Sequence, residues 1–513
     1  MKYDAIIIGA GVGGLSCAAK LANYNKKVLV VEKIHHIGGT SHIFHRGDFY
    51  FPMGPLSFSY PDLVDQMLKS VGIKEEISYN RSHFQLISPN IDIIYSKQLK
   101  HLQKDLIEKY PEEEKGLNSF FSLLNEIIDN IHDIYEWNPD YAIKQNSGNL
   151  FEKSSKSLNE KYNLVKKYSE MPSKEILNEE IKNSTLIRLL GSQGTYEPVM
   201  SMLHLGYMWN VMSEKGIWFP SCGIHGINKL LYNSIISNGG QIKLNTPIRE
   251  IIIENGTIRG VKTENAVEFF SDYIISNADY KTTFLKLINK EQLSSDFYNL
   301  IKNNSYTGSE FCVYLGINPE KVDLDKARAD HLFYRKDIIE EDNIDDKNEI
   351  RSGKFRNKEI EICFWSEKAK DSVPEDRKSL ILRVNFPYEL MKDWRIGVKK
   401  RKDGYQSYKE KLAQKLIKTV ENILPGLSNS IVKMEIATPL TYQDWGKRFR
   451  GSIAGWSRDL EKVQGFDSEL FIQTPIENLL MVGLYAAKEL FLGGYPTSMY
   501  TGKLAADWII KQN

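Results

Sequence analysis

Tyr3-Asp4-Ala5-Ile6-Ile7-Ile8-Gly9-Ala10-Gly11-Val12-Gly13-Gly14, followed by the Ala-rich stretch 15–21, is the segment that decides the fold. Residues 3–8 read as a short buried strand that runs directly into a G-x-G-x-x-G turn made by Gly9, Gly11 and Gly14. Each glycine has its own reason. The first makes the tight strand-to-helix turn, the second lets a pyrophosphate approach bare backbone, and the third lets the helix pack close to the sheet. Gly13 belongs to the same bare turn. The helix that follows points its positive N-terminus at the phosphates. A second apolar run, 28–31, ends in Glu32, where a carboxylate can accept hydrogen bonds from ribose hydroxyls and disfavours a 2′-phosphate. Strand, glycine turn, helix, strand and acid in this order predict a dinucleotide-binding unit.

Working outward, 513 residues are too many for one compact core, so two packed domains are expected. Hydrophobic residues at 42% and charged residues at 26% mark a globular chain. A formal net charge of +1 gives no electrostatic footprint for nucleic acid. The four cysteines, Cys17, Cys222, Cys312 and Cys363, form no C-x-x-C pair. That argues against zinc, iron–sulfur and disulfide frameworks and fits a reducing cytoplasm. His35-His36 has no third ligand at metal spacing, so no metal site is expected. The N-terminal apolar run is too short for a secretory signal, and no stretch reaches the length of a membrane span. A cytoplasmic location is expected, with attachment to a membrane surface left open.

Further along, residues 102–110 and 116–135 read as amphipathic helices, and 153–182 as a polar excursion. Residues 224–237 read as a helix stopped at Gly239-Gly240, then a strand over 241–244. An alternating hairpin over 247–263 turns at Asn255-Gly256. Residues 273–279 form a short buried strand with a polar end. Residues 311–317, 331–334, 360–365 and 380–386 read as strands of a second sheet, 408–423 as a helix stopped by Pro425-Gly426. The chain closes with a strand at 479–482, a Gly-rich loop and a helix over 501–511. The run 392–402, rich in Lys and Arg around Trp394, reads either as a solvated loop or as a contact for anionic lipid.

With these motifs in order, the chain resembles the FAD-dependent family of phytoene-type carotenoid desaturases, carotenoid cis–trans isomerases and retinol saturases, within the wider amine-oxidase-like flavoprotein group. The resemblance runs discontinuously over the whole length. It is carried by the glycine motif, Glu32-Lys33, Gly38-Gly39 and Phe49-Tyr50-Phe51-Pro52-Met53-Gly54-Pro55. Further on it includes Gly194-Thr195-Tyr196-Glu197-Pro198, Gly216-Ile217-Trp218-Phe219-Pro220, Ile275-Ser276-Asn277-Ala278-Asp279, Thr438-Pro439 and Gly451. A closing segment, 479–502, carries Gly483, Gly494, Pro496 and Gly502. Departures stand beside it: Thr40 where many relatives carry Arg, although isomerases and saturases often have a small residue there; Pro52 where an Asp is common; a longer stretch from Gly483 to Gly493; and Thr497 in place of a Gly.

The resemblance implies an α/β fold: a Rossmann-like FAD-binding domain, with a mixed sheet and a β-hairpin layer, carrying an inserted α+β substrate domain. Its expected parts are 1–60, 215–285 and 470–513 for FAD, 61–214 as a helical insertion or cap, and 286–469 for substrate. It implies FAD contacts at Gly9, Gly11, Gly13, Gly14, Glu32, Lys33, Gly39, Thr40, Gly54, Ile248, Asn277, Ala278, Gly483, Gly494, Pro496, Thr497 and Ser498. The expected activity is that of an oxidoreductase on CH–CH groups, which desaturates, saturates or isomerises double bonds of an apolar polyene or isoprenoid lipid. Glu197, His42 and Tyr500 are candidate catalytic groups, with His45, His225 and Met499 in similar segments. No second G-x-G-x-x-G follows a strand, so electrons would leave to oxygen or a quinone, or not leave at all. Two other readings stay open: a flavin amine oxidase with Tyr495 and Tyr500 as an aromatic cage, and a flavin-free prenyl-lipid binder of the GDP-dissociation-inhibitor type.

Overall fold

In the computed structural model, the residues described are 2–89, 91–94, 98–137, 163–164, 166–192, 198–337, 346–356, 358–367, 369, 372–457, 459, 472–486 and 493–512. The β-branched runs at the N-terminus build the centre of a seven-stranded sheet. Its order is Ile248–Glu254, Thr257–Thr263, Glu268–Ser276, Lys2–Ile8, Val28–Val31, Gln241–Lys243, with Leu479–Met481 also paired to Glu268–Ser276. The pairs on either side of Lys2–Ile8 are parallel and buried on both faces, which is why these strands are continuous apolar runs. The Ile248–Glu254 and Thr257–Thr263 strands add antiparallel pairs, forming the hairpin layer.

Register places the functional edge. Ile8 pairs with Val31 and with Ser276, and Ser276 with Met481. The four strands therefore end in step, and Gly9, Glu32, Asn277 and Val482 leave the sheet side by side. Gly9 donates to Val31, Asn277 to Ile8, and Val482 to Ser276, at 2.8–2.9 Å. Open parallel sheets bind ligands at this carboxyl edge. The Val12–Asn23 helix crosses the sheet, and the Gly494–Gln512 helix presses onto it. A Cβ on Gly502 would stand 2.2 Å from the Gly13 carbonyl oxygen, so only glycine permits this approach.

The second sheet also has seven strands, in the order Ile431–Ala437, Glu310–Ile317, Lys378–Asn385, Glu359–Cys363, His331–Arg335, Phe84–Ser88, Ile91–Ile94. One face, with Phe311, Val313, Leu332, Ile362 and Leu382, packs under the Tyr405–Val420 helix. The other, with Cys312, Tyr314, Cys363 and Ile381, meets Phe49, Phe51, Leu56 and Phe219 from the first unit. A helical layer that includes Leu99–Lys109 and Met202–Asn210 buries a third core.

Three elements differ from the sequence reading. Phe84–Ser88 and Ile91–Ile94, inside the stretch read as helical, extend the second sheet because Phe84, Leu86, Ile91 and Ile93 all bury. The last helix begins at Gly494, not at 501, so Pro496 and Thr497 lie in its first turn, where proline is tolerated. Residues 395–401 form a hairpin, not a loop. Among the described residues, no helix is long and apolar enough to cross a membrane.

Candidate active site

A cavity of about 520 Å³ opens at the carboxyl edge of the first sheet and reaches the second sheet. Its floor is the glycine turn. A Cβ on Gly11 would lie 2.5 Å from the Asn277 Nδ2, and one on Gly13 would lie 2.7 Å from the Gly483 amide nitrogen. Side chains here would fill the cradle. The Val12–Asn23 helix starts behind this floor with Gly11 as its N-cap and no side-chain cap, leaving its first amides for a ligand.

Glu32 is buried beside the floor. Its carboxylate accepts from the Ala10 amide at 2.7 Å and from the Ile34 amide at 3.0 Å. Each oxygen keeps a second lone pair, the chemistry that a ribose diol needs. The Gly38 amide donates to the Ala10 carbonyl at 2.7 Å, which ties the second glycine loop to the first. On the far side stand Gly483, Gly494, Tyr495 and Ser498. Bare amides at a helix start, a buried acid and a groove without Cβ atoms fit a dinucleotide cofactor.

The opposite wall is polar. Glu310, Arg383 and Tyr442 line it together. Tyr442 donates to Glu310 at 2.6 Å, and Arg383 donates to the Gly54 carbonyl at 3.2 Å. Behind Arg383, Glu361 lies 3.6 Å away and in turn meets His331 Nε2 at 2.5 Å. These groups share one sheet face, since Arg383 pairs with Cys312 on one side and Glu361 on the other. Burial favours a neutral Glu361, but Arg383 and His331 beside it hold its carboxyl down at about 2. Burial also opposes a charged His331, yet Cys363 and Glu361 carry its imidazolium up to about 10. The Tyr442 phenol is pushed well up by burial and then by Glu310, so it stays a neutral donor.

Arg448 closes the rim. Its guanidinium donates to the Thr40 hydroxyl and to the Ile453 carbonyl. Asp279 caps the Tyr280–Lys286 helix through the Thr282 amide at 2.9 Å and takes the Tyr306 hydroxyl at 2.8 Å.

The cavity gathers Gly9, Gly11, Gly13, Glu32, Lys33, Gly39, Thr40, Gly54, Ile248, Asn277, Ala278, Gly483, Gly494 and Ser498 from distant parts of the chain. It does not gather the rest. Gly14 sits behind the floor, its missing Cβ 2.1 Å from the Gly9 carbonyl oxygen. Thr497 and Pro496 are buried in the last helix, and Tyr500 packs at the margin of the first core. His42 stacks on His36, ring centroids 4.1 Å apart and nearly parallel, away from the lining. Tyr495 does line the cavity, but its ring stacks on Phe58 and its hydroxyl donates to Asn228 at 3.0 Å. With Tyr500 elsewhere, the two tyrosines form no cage. Glu197 and the stretch 487–492 after Gly483 lie outside the described residues.

Sequence reasoning missed Glu310, Arg383, Tyr442 and Arg448. Arg383 carried a usable signal: it interrupts Leu380-Ile381-Leu382 and Val384, an apolar run with no reason to hold a charge unless both faces are covered.

Comparison with known proteins follows the same outline. The model of the flavin-containing amine oxidoreductase family matches residues 12–510. Prolycopene isomerase from Daucus carota is 27% identical over 534 residues, covering 100% of this chain and 81% of its own. All-trans-retinol 13,14-reductase from Danio rerio is 26% identical over 542 residues, covering 99% and 86%. Among solved structures, an oxidoreductase from Methanosarcina mazei superposes with a TM-score of 0.61 at 15% identity, covering 100% of both chains, so the fold is shared.

Proposed function

This chain belongs to the flavin-containing amine oxidoreductase family, and from that premise we propose that it binds FAD and desaturates, saturates or isomerises carbon–carbon double bonds of a long apolar polyene or isoprenoid. The observation that carries the reading is one continuous cavity with the glycine cradle and Glu32 on one wall and the second sheet on the other. Two relatives with nearly full coverage of this chain, a prolycopene isomerase and a retinol reductase, are named for polyene double bonds. When bound, the flavin supplies hydride or single-electron chemistry at its ring. The chain's own residues do the rest. Glu32 and the amides at Gly11–Gly13 would hold the dinucleotide, while Gly54 and Arg383 brace the wall opposite. The Tyr442–Glu310 pair holds a neutral phenolic hydroxyl, with its proton donated to a carboxyl oxygen, at the cavity. We assign oxygen or a quinone as acceptor where electrons leave, and contact with a membrane as the source of substrate.

The amine-oxidase alternative loses its support from Tyr495 and Tyr500, which do not meet across the cavity. The test has two stages. Purified protein should absorb near 450 nm and release FAD, not the mononucleotide, on denaturation. Cells that accumulate phytoene or a poly-cis carotene should then change pigment on expressing it, read by chromatography with and without added quinone. A colourless protein overturns the cofactor; unchanged pigments with bound FAD overturn the polyene substrate.

A further inference from the structure

The three most exposed large apolar side chains among the described residues meet at one place: Ile396 at 61%, Val398 at 60% and Trp445 at 53%. Ile396 and Val398 belong to a hairpin made by Arg395–Gly397 and Lys400–Arg401, with Val398 and Lys399 as its two-residue turn. The hairpin is pinned at its base. Asp444, 2% exposed, takes Arg395 at 2.9 Å, Arg401 at 2.7 Å and the Lys399 amide at 2.9 Å. Lys399 adopts a left-handed backbone (φ 58°) and lays its ammonium 3.5 Å from the Trp445 ring centroid. The apolar tips are therefore held outward beside Trp445 by a buried ionic anchor.

The surrounding charge is specific in sign. Lys399 lies over Trp445, and Lys400 and Lys402 follow it in and just after the hairpin, while Arg395 and Arg401 are spent on Asp444. Asp393 and Asp403 flank the hairpin, and Lys392 is tied to Glu389 at 2.7 Å. Aliphatic tips, an interfacial tryptophan and a ring of lysines are the composition of an interfacial anchor: the aliphatics enter the acyl boundary, the indole sits at headgroup depth, and ammonium groups meet phosphates. Position completes the case. The strand of chain that carries Trp445 continues into Gly446, Lys447 and Arg448, which line the cofactor cavity.

We propose that the 395–402 hairpin and Trp445 dock this protein on the anionic surface of a lipid bilayer and set the cavity rim against the membrane. The docking rests on the polyene reading for its purpose, and on exposure and charge for its location. The flavin-loaded full-length protein is sedimented with vesicles of phosphatidylcholine alone, or of phosphatidylcholine mixed with phosphatidylglycerol. Binding should require the anionic lipid and weaken with salt. Ile396→Asp with Val398→Asp should abolish it, and Lys400→Gln or Lys402→Gln should each weaken it about fivefold, the equivalent of about 1 kcal/mol per cation. Flavin content and melting temperature of these variants should match the parent, because none of the four residues lines the cavity.

Wild-type protein left in the supernatant with anionic vesicles overturns the docking, as does equal binding by the double Asp variant. So does a lipid-free dimer that the double variant abolishes, which would make the patch a contact between copies. Turnover of a detergent-dispersed polyene is measured in parallel. Vesicle binding without turnover keeps the docking and sinks the substrate reading; turnover without vesicle binding does the reverse.

Discussion

Two alanine substitutions in the same glycine motif should fail in different ways. A methyl on Gly14 would stand 2.1 Å from the Gly9 carbonyl oxygen and 3.1 Å from the Ile7 Cγ2. An ordinary carbon–oxygen contact is about 3.3 Å, so helix and strand must part by about 1 Å. The helix has nowhere to go, because on its other side Gly502 already brings the last helix against Gly13 and Cys17. Overpacking of this kind costs about 1–3 kcal/mol, and with backbone on both sides the upper figure applies. Gly11→Ala differs: its methyl meets only the Asn277 amide at 2.5 Å, the end of a side chain that can rotate. Its effect on the empty protein should stay below about 1 kcal/mol, as for other tolerated small changes. Its methyl would instead project into the cradle and weaken FAD about tenfold or more, the equivalent of about 1.4 kcal/mol. The assay strips the flavin, follows unfolding in urea by circular dichroism, then titrates FAD back by fluorescence quenching. Parent-like unfolding of Gly14→Ala would refute the packing argument. Equal destabilisation by Gly11→Ala with normal FAD affinity would refute the division of roles.

Glu32→Gln keeps one acceptor oxygen but sets an NH₂ against either the Ala10 or the Ile34 amide, and should cost about 1.5–3 kcal/mol of charge-assisted hydrogen bonding, seen as reduced flavin content and a lower melting temperature. Arg383→Met leaves Glu361 with His331 alone and the Gly54 carbonyl without this donor; breaking this half-buried charge pair should cost about 1.5–3 kcal/mol, measured by urea unfolding. Tyr442→Phe removes the phenolic donor beside Glu310 and should lower kcat more than it alters FAD affinity, read by steady-state turnover beside the flavin titration. His42 stays neutral down to about pH 4, because burial and then His36 disfavour its cation. The unfolded chain takes that proton at about 6.5, so stability should fall as pH drops from there toward 4; His42→Asn should flatten this limb in melts across pH.

The sequence was most legible where signal is local. The N-terminal strand, turn and helix are contiguous: Gly9 takes a positive φ (100°) and Gly14 is required by the Gly9 carbonyl five residues back, while Gly11 and Gly13 are pressed by Asn277 and Gly483 at the ends of distant strands. The second sheet was visible as strands, but its chemistry was not. Alternation along Lys378–Asn385 puts Leu380, Leu382 and Val384 on one face and Arg383 with Ile381 on the other. A one-sided sheet would leave that second face to water. Here Phe49, Phe51 and Phe219 cover it, and they come from sequence more than 150 residues away. No periodicity within the strand can announce such a cover. The hairpin at 395–401 was hidden for a related reason: its stability comes from Asp444, a partner beyond the following helix.

Thr40 shows how a departure from a motif can be answered elsewhere. In the family this chain resembles, many members carry an arginine after the glycine pair, while isomerases and saturases often carry a small residue there, as Thr40 is here. The fold returns a guanidinium to the same spot from 408 residues downstream, where Arg448 donates to the Thr40 hydroxyl while its other nitrogen holds the Ser452 carbonyl at 3.2 Å. Lys447 beside it takes a left-handed backbone (φ 56°), a conformation costing roughly 1 kcal/mol that a plain surface turn would avoid. The guanidinium beside this loop thus comes from a distant part of the sequence. The Thr40 hydroxyl and the Arg448 guanidinium both line the cavity, and the rim that supplies the cation is the same strap that carries Trp445. The cavity lining at Gly446, Lys447 and Arg448 therefore follows directly in sequence on Trp445, the residue proposed to meet the membrane.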